Sequence, residues 1–334
     1  MRWKWILFGT ITLFLTLVYT SNGDDQDDYK ECLKRCEIEE QCDTNFFPAN
    51  GQSLFNRLFL WDCYSECKYQ CMWMVEKHNR QKGHGARQYY GKWPFTRLAG
   101  TQELFSGIFS FGNFVANHFG FHRIYAPSVR GKSTWFLHKV VVAHYLISSN
   151  GWLWSTIFHL RDCEFTMHMD YFSAVAIVFV SMILAIVRFF NIRSQIKQLL
   201  VALPIFIFYL FHVLYMLWIK FDFGWNMTIC LTAGAIYMGL FFIWGLWCMF
   251  VRKRQHAKYA VVACVAGLAA ALLEVIDFPP IFDLFDAHSI WHAATIPIVP
   301  LWYCFYRKDA LYDLGYKSDF FMKDMAIDSP TDYN

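Results

Sequence analysis

Charged residues are scarce in this chain: only 17% of its 334 positions are Asp, Glu, Lys or Arg, where soluble globular domains carry about a quarter. No tract interleaves basic with aromatic residues, and the net charge of +3 is unremarkable, so nothing points to nucleic acid. An HExxH helix, a nucleophile elbow and a phosphate-binding loop are all absent, which removes the metalloprotease, α/β-hydrolase and P-loop routes to chemistry. What is present is apolar. Hydrophobic residues make up 56% of the chain and aromatics 20%, gathered into repeated runs of membrane-spanning length, which a soluble domain does not contain.

The first residues read as a secretory signal. Arg2 and Lys4 precede an apolar core from Trp5 to Tyr19, and Ser21-Asn22-Gly23 offers small residues for cleavage. The rival is an uncleaved anchor helix; the acidic, polar stretch from Asp24 to Tyr29 favours a signal peptide over residues 1–23. Of eleven cysteines, six crowd the region just after it: Cys32, Cys36, Cys42, Cys63, Cys67 and Cys71. An even cluster in an oxidising compartment predicts a disulfide framework, three bridges among the fifteen pairings that six cysteines allow. The spacings Cys32-x3-Cys36 and Cys67-x3-Cys71 each put two thiols on one helix face, which suits two helices stapled side by side. A zinc site is the alternative.

Hydropathy then predicts an all-α membrane protein: a seven-transmembrane helix bundle behind a small disulfide-rich lumenal domain. The spans fall at about 101–121, 138–160, 168–188, 198–218, 226–250, 258–277 and 285–305. The corresponding divisions are a lumenal cysteine-rich domain at 24–98, a membrane domain at 99–306 and a tail at 307–334. Orientation follows from the loops. Arg123, Arg130, Lys132 and Lys139, then Arg188, Arg193 and Lys197, then Arg252, Lys253, Arg254 and Lys258 lie on one side. The other side has only Arg161 and Lys220, against Asp162, Glu164, Asp222, Asp277, Asp283 and Asp286. The basic side is expected in the cytosol. The N-terminus is then lumenal, as a signal peptide independently requires, and the C-terminus cytosolic.

Ionisable and polar groups inside membrane spans are expensive and suggest function. The second span ends with Ser155 and His159 four residues apart, on one helix face. The third opens at Met169-Asp170-Tyr171, with the carboxylate expected in its first turn. The seventh opens with His288 and His292, again on one face. All three ends are expected on the lumenal side, so three imidazoles, a carboxylate and a hydroxyl share one depth. Three protein ligands with a fourth position left to water make a catalytic zinc site, in which the water's pKa falls to about 7. His159, His288 and His292 are the predicted ligands of a Zn²⁺ cofactor, Asp170 the general base and Ser155 the oxyanion donor. Each has a bland counterpart: a serine can mediate helix packing, and a carboxylate can sit at a helix N-terminus for the dipole. The shared depth is what lifts the set.

These residues resemble a superfamily of seven-helix membrane hydrolases that includes alkaline ceramidases, progestin and adiponectin receptors and Per1-like proteins. The shared pattern is Ser-x3-His, Asp and His-x3-His in spans two, three and seven. Within it the chain is most similar to the Per1-like family. The segments that carry this are Trp154-Ser155-Thr156 to Phe158-His159 with Arg161-Asp162, Met169-Asp170-Tyr171-Phe172, Asp277-Phe278-Pro279-Pro280, Asp286-Ala287-His288, Asp62-Cys63, Cys67-Lys68-Tyr69, Cys71-Met72-Trp73 and Gly91-Lys92-Trp93-Pro94-Phe95. The resemblance implies a GPI-specific phospholipase A2 that removes the sn-2 acyl chain from anchor phosphatidylinositol during fatty-acid remodelling, by a metal-activated water. GPI-anchored proteins and their lipid would be its partners, with no nucleic acid. Its expected residence is the Golgi membrane, or alternatively the endoplasmic reticulum, since the end of the sequence carries no retrieval signal. The rival functions are a ceramidase-like amidase and a seven-helix receptor in which zinc only braces the bundle.

Overall fold

A computed structural model describes residues 23–130 and 135–316. The expected signal peptide, through residue 22, and the end of the tail, 317–334, lie outside the described residues. Among those described there are helices and no strands. The chain divides into two compact units: one runs to Glu103 and adds Phe278–Ala287, the other comprises Leu104–Asp277 and the residues from His288 onward.

The first unit is built on two helices, α1 (Asp27–Glu39) and α3 (Cys63–Gln81), with the short α2 (Leu54–Leu58) between them. The helix starts follow from capping: Ser53 accepts from the Asn56 amide, and the Asp62 carboxylate accepts from the Ser65 amide at 2.7 Å. The pairing left open by the sequence is Cys32–Cys71, Cys36–Cys67 and Cys42–Cys63. The two Cys-x3-Cys faces therefore staple α1 antiparallel to α3. With all six sulfurs bonded, the grouping of Cys42, Cys63 and Cys67 has no thiolate to offer a metal. Closing loops of this length removes about 3–4 kcal/mol each of unfolded-chain entropy. The apolar core these bridges supplement is small, centred on Tyr29, Met72, Val75 and Tyr89. Glu76 is fully buried in it and accepts from the Tyr89 hydroxyl at 3.0 Å; burial lifts its carboxyl above the ordinary range, against the pull of that hydrogen bond.

The second unit is a helical bundle. Its elements are α4 (Leu104–Phe119), which passes through a π-helical turn (Gly120–Tyr125) into α5 (Ala126–Val129), then α6 (His138–Leu160), α7 (Glu164–Phe189), α8 (Gln195–Trp218), α9 (Phe223–Phe250), α10 (Lys258–Ile276), α11 (Ala287–Thr295) and α12 (Ile298–Asp313). Helices occupy each of the seven predicted runs, with shifts that have local causes. α7 begins at Glu164 because Thr166 accepts from the Cys163 amide and caps the turn. Asp170 therefore lies in the second turn and not, as the sequence suggested, in the first. The seventh run is two helices, because Pro297 lacks the N–H that would continue α11. Among the described residues, four helices are long and apolar enough to cross a membrane: Glu164–Phe189, Gln195–Trp218, Phe223–Phe250 and Gln255–Ile276. α8 leaves Phe206, Ile207, Leu210, Phe211 and Leu214 exposed, a surface that suits lipid. This is a membrane protein.

Candidate metal centre

Two helices, α6 and α11, carry the three histidines. α6 packs along both α4 and α7. Gly151 makes the second approach possible: a Cβ there would come within 2.4 Å of the Ile177 side chain. The close approach sets the start of α7 beside the end of α6, where Tyr171 meets Phe158 edge-on at 5.9 Å. Ser155 and His159 occupy successive turns of α6 on one buried face. His288 and His292 do the same on α11.

The imidazoles converge through Nε2. His292 Nε2 lies 3.1 Å from His159 Nε2 and 3.0 Å from His288 Nε2, and His159 and His292 are buried. Three ligand nitrogens at Zn–N bonds of 2.0–2.1 Å and tetrahedral angles would stand about 3.3 Å apart; the two separations from His292 are close to that, and all three nitrogens lie within 4.8 Å of one another. The outward ring nitrogens of His288 and His292 are engaged as well. His288 Nδ1 faces the Glu274 carboxylate at 2.7 Å, and since an ionised carboxylate only accepts, the proton sits on Nδ1 and the Nε2 lone pair turns inward. His292 Nδ1 faces Ser110 Oγ at 3.4 Å, and Ser110 Oγ lies 3.0 Å from Ser155 Oγ. Such outer partners orient metal-binding imidazoles and fix their tautomers.

The break at Pro297 takes part in this. The Ile296 amide turns to the Ala293 carbonyl at 3.3 Å and leaves the His292 carbonyl outside the helical ladder. That oxygen accepts instead from Asn113 Nδ2 and from Thr295 Oγ1, both at 2.8 Å. Asn113, on α4, thus grips the backbone of one of the three histidines while Ser110, one turn earlier, faces its ring. Trp152 and Trp291 enclose the same imidazole at ring distances of 5.8 and 4.6 Å. Of the predicted residues, then, the three histidines meet directly, and Ser155 joins them through Ser110. Asp170 is half-buried in the second turn of α7, six residues past its start and beyond the first turn, where the helix dipole acts most strongly.

Sequence reasoning missed Ser110, Asn113 and Glu274. Two signals could have found them. Glu274 is the one acidic residue in the apolar run Lys258–Ile276. Ser106, Ser110, Asn113 and Asn117 recur at helical spacing through α4 and are all buried, a polar stripe in an apolar helix. The sequon Asn226-Met227-Thr228 adds no competing role: Asn226 is buried, with its side-chain oxygen 3.1 Å from His212 Nε2.

Comparison with known proteins places this architecture. The profile of the Per1-like family matches residues 53–310. The GPI-specific phospholipase A2-like PGAP3 of Homo sapiens is 35% identical over 309 residues, covering 91% of this chain and 94% of that protein. Its counterpart in Xenopus laevis is 37% identical over 317 residues, 92% and 96% of the two chains. Post-GPI attachment to proteins factor 3 of Drosophila melanogaster is 36% identical over 310 residues, 89% and 91%. No solved structure matches.

Proposed function

The chain belongs to the Per1-like family, and from that premise we propose that it is a GPI-specific phospholipase A2-type hydrolase that removes the sn-2 acyl chain of GPI-anchor phosphatidylinositol. The observation that carries the reading is the convergence of three imidazole nitrogens in a buried site. The substrate class comes from the names of the relatives. In this reading the bundle crosses the membrane seven times, with α11 and α12 forming one broken span; non-helical backbone at such a break is tolerated where protein surrounds it. The signal peptide ends at residue 23, the cysteine-rich domain (24–98) is lumenal, the hydrolase domain covers 99–306, and the tail from 307 is cytosolic. The Golgi membrane is its residence and GPI-anchored proteins are its substrates.

His159, His288 and His292 would hold a zinc ion, which when bound supplies a Lewis acid for the ester carbonyl and a water of lowered pKa. The remaining steps belong to the chain. Glu274 keeps the proton of His288 on Nδ1, so that its Nε2 faces the cluster. On the other side, His292 Nδ1–H donates to Ser110, Ser110 donates to Ser155, and the Ser155 hydroxyl is left to donate elsewhere. We assign that last donation to the oxyanion that forms as the ester carbonyl becomes tetrahedral. Asp170 is assigned the proton released by the attacking water. Trp152 and Trp291 exclude bulk water around His292, which strengthens each of these interactions.

The test separates an enzyme from a metal-braced bundle. Asp170→Asn and Ser155→Ala remove no proposed ligand, so folding and metal content should survive. Deacylation should fall about 10²–10⁴-fold for the base and about 10²–10³-fold for the donor, read by mass spectrometry of GPI anchors in cells lacking the native protein. If both variants remodel anchors at the wild-type rate while His292→Ala does not, the metal is a brace and the assignment fails.

A further inference from the structure

Among the large apolar side chains that the disulfide-bonded unit exposes, two groups are tied to residues close along the chain to helices of the second unit. One is the segment between α1 and α3. Phe46, Leu54, Phe55 and Leu58 are 53–70% exposed, with the Arg57 guanidinium over the neighbouring Phe47 ring at 5.4 Å. This segment is fixed against Gly100, whose carbonyl accepts from Trp61 Nε1 at 2.7 Å. The contact is so close that a Cβ on Gly100 would stand 2.8 Å from the Phe55 carbonyl, and Gly100 takes a positive φ of 79°. Four residues later α4 begins at Leu104, and four residues of chain span at most about 14 Å.

The second place is 278–287. This stretch follows directly on α10, one of the four helices apolar enough to cross a membrane, yet it belongs to the disulfide unit. Arg80 clamps Asp283 through two hydrogen bonds of 2.6 and 3.0 Å, and the Asp283 carbonyl accepts from the Thr96 amide at 3.0 Å. Clamped so, the turn holds Phe282 and Asp283 at φ of 57° and 59°, a left-handed conformation that costs energy in a residue with a bulky side chain. What the strained turn presents outward is Phe282, 83% exposed, beside the half-exposed Ile281.

We infer that Phe46, Leu54, Phe55 and Leu58, together with Ile281 and Phe282, form a membrane-docking surface that inserts into the lipid headgroup region of the leaflet the unit faces. Aromatic and aliphatic side chains flanked by a basic one are what an interfacial surface presents. Continuity with the spans argues for lipid over a protein partner, because the first patch is pinned to Gly100, four residues before α4, and Ile281 and Phe282 follow within six residues of the end of α10. The tether at Leu104 rests on the seven-span reading proposed above; the tether at the end of α10 does not. The inference is independent of what reaction the protein catalyses.

The experiment uses the full chain in phosphatidylcholine–phosphatidylserine nanodiscs, with a benzophenone amino acid at Leu58, at Phe282, or at the exposed Lys34 of α1 as control. After irradiation, adducts are identified by mass spectrometry in the fraction whose three disulfides are intact. Lipid adducts at Leu58 and at Phe282 should each exceed those at Lys34 by about tenfold or more, since burial of a single Leu or Phe side chain favours an apolar phase by at least that factor. With the benzophenone placed instead at the neighbouring Leu60, which is 61% exposed, the Phe55→Asp, Leu58→Asp chain should lose most of the lipid adduct that the otherwise unchanged chain gives at that position. Adducts to a second copy or another protein at these positions, or no excess over Lys34, overturn the proposal.

Discussion

Two clusters of ionisable side chains lie inside the helical unit, and they differ in what they set against each other. In one, Arg188 of α7 makes a bidentate pair with Asp309 of α12, at 2.7 and 2.8 Å, and His256 adds a third contact to the same carboxylate at 3.1 Å. The guanidinium lies 4.4 Å from the Trp244 ring centre. Charge and donors are matched, and the result ties α7 to α12. In the other cluster, two Nε2–Nε2 approaches of 3.0 and 3.1 Å share His292. One proton cannot serve both, so protein groups alone set like against like, while a cation accepts every lone pair at once. Burial is common to the two clusters. What separates the lock from the site is that the first sets a cation against an anion, while the second turns imidazole nitrogens toward one another.

The difference can be broken most severely at the histidines. His292→Ala should take metal content from about one equivalent, as a single three-histidine site binds, to near none by elemental analysis of the purified protein. Full occupancy in that variant would remove the metal reading altogether. The next effect is on stability. Arg188→Ala leaves Asp309 buried with only His256 beside it, which should cost about 3–5 kcal/mol, seen as a lower thermal midpoint in detergent, with metal content unchanged. Arg188→Met combined with Asp309→Leu should recover most of that loss, because two apolar side chains leave no charge stranded. Loss of metal in Arg188→Ala would mean that the clusters act as one network, and the contrast would collapse.

Much of this was legible in the sequence, and what was not has a physical pattern. The apolar runs located every long helix of the bundle, because a membrane span needs length and apolarity and little else. The pairs Ser155/His159 and His288/His292 were legible because spacing of four fixes a helix face whatever the tertiary fold. Cysteine spacing suggested the stapled helices, yet the pairing of Cys42 with Cys63 needed the fold. Ser110, Asn113 and Glu274 were missed since each acts across helices, and a single polar residue in one run does not announce its partner in another. The helices that carry the histidine cluster also fall outside the four apolar enough to cross a membrane. α6 is diluted by His144, Ser148, Asn150, Ser155 and His159, and α11 is cut short ahead of Pro297. The polar atoms that build the site are the ones that weaken the membrane signal.

The smallest expected effect tests the distinction most finely. Glu274 resembles Asp309 in being a carboxylate paired with a cationic or imidazole partner, so the two could both be locks. Its place suggests otherwise, because it faces the outer nitrogen of His288 and leaves the inner one to the cluster. Glu274→Gln keeps the shape and an acceptor oxygen but removes the charge that holds the proton on Nδ1. Metal affinity should fall about 10–100-fold, the usual consequence of losing an outer partner of a ligating histidine, measured by competition with a chelator of known affinity. The thermal midpoint of the metal-stripped protein should hardly move, in contrast to Arg188→Ala. A metal-stripped Glu274→Gln protein destabilised as severely as Arg188→Ala, with metal affinity intact, would make Glu274 a second lock and leave the histidines without an orienting carboxylate.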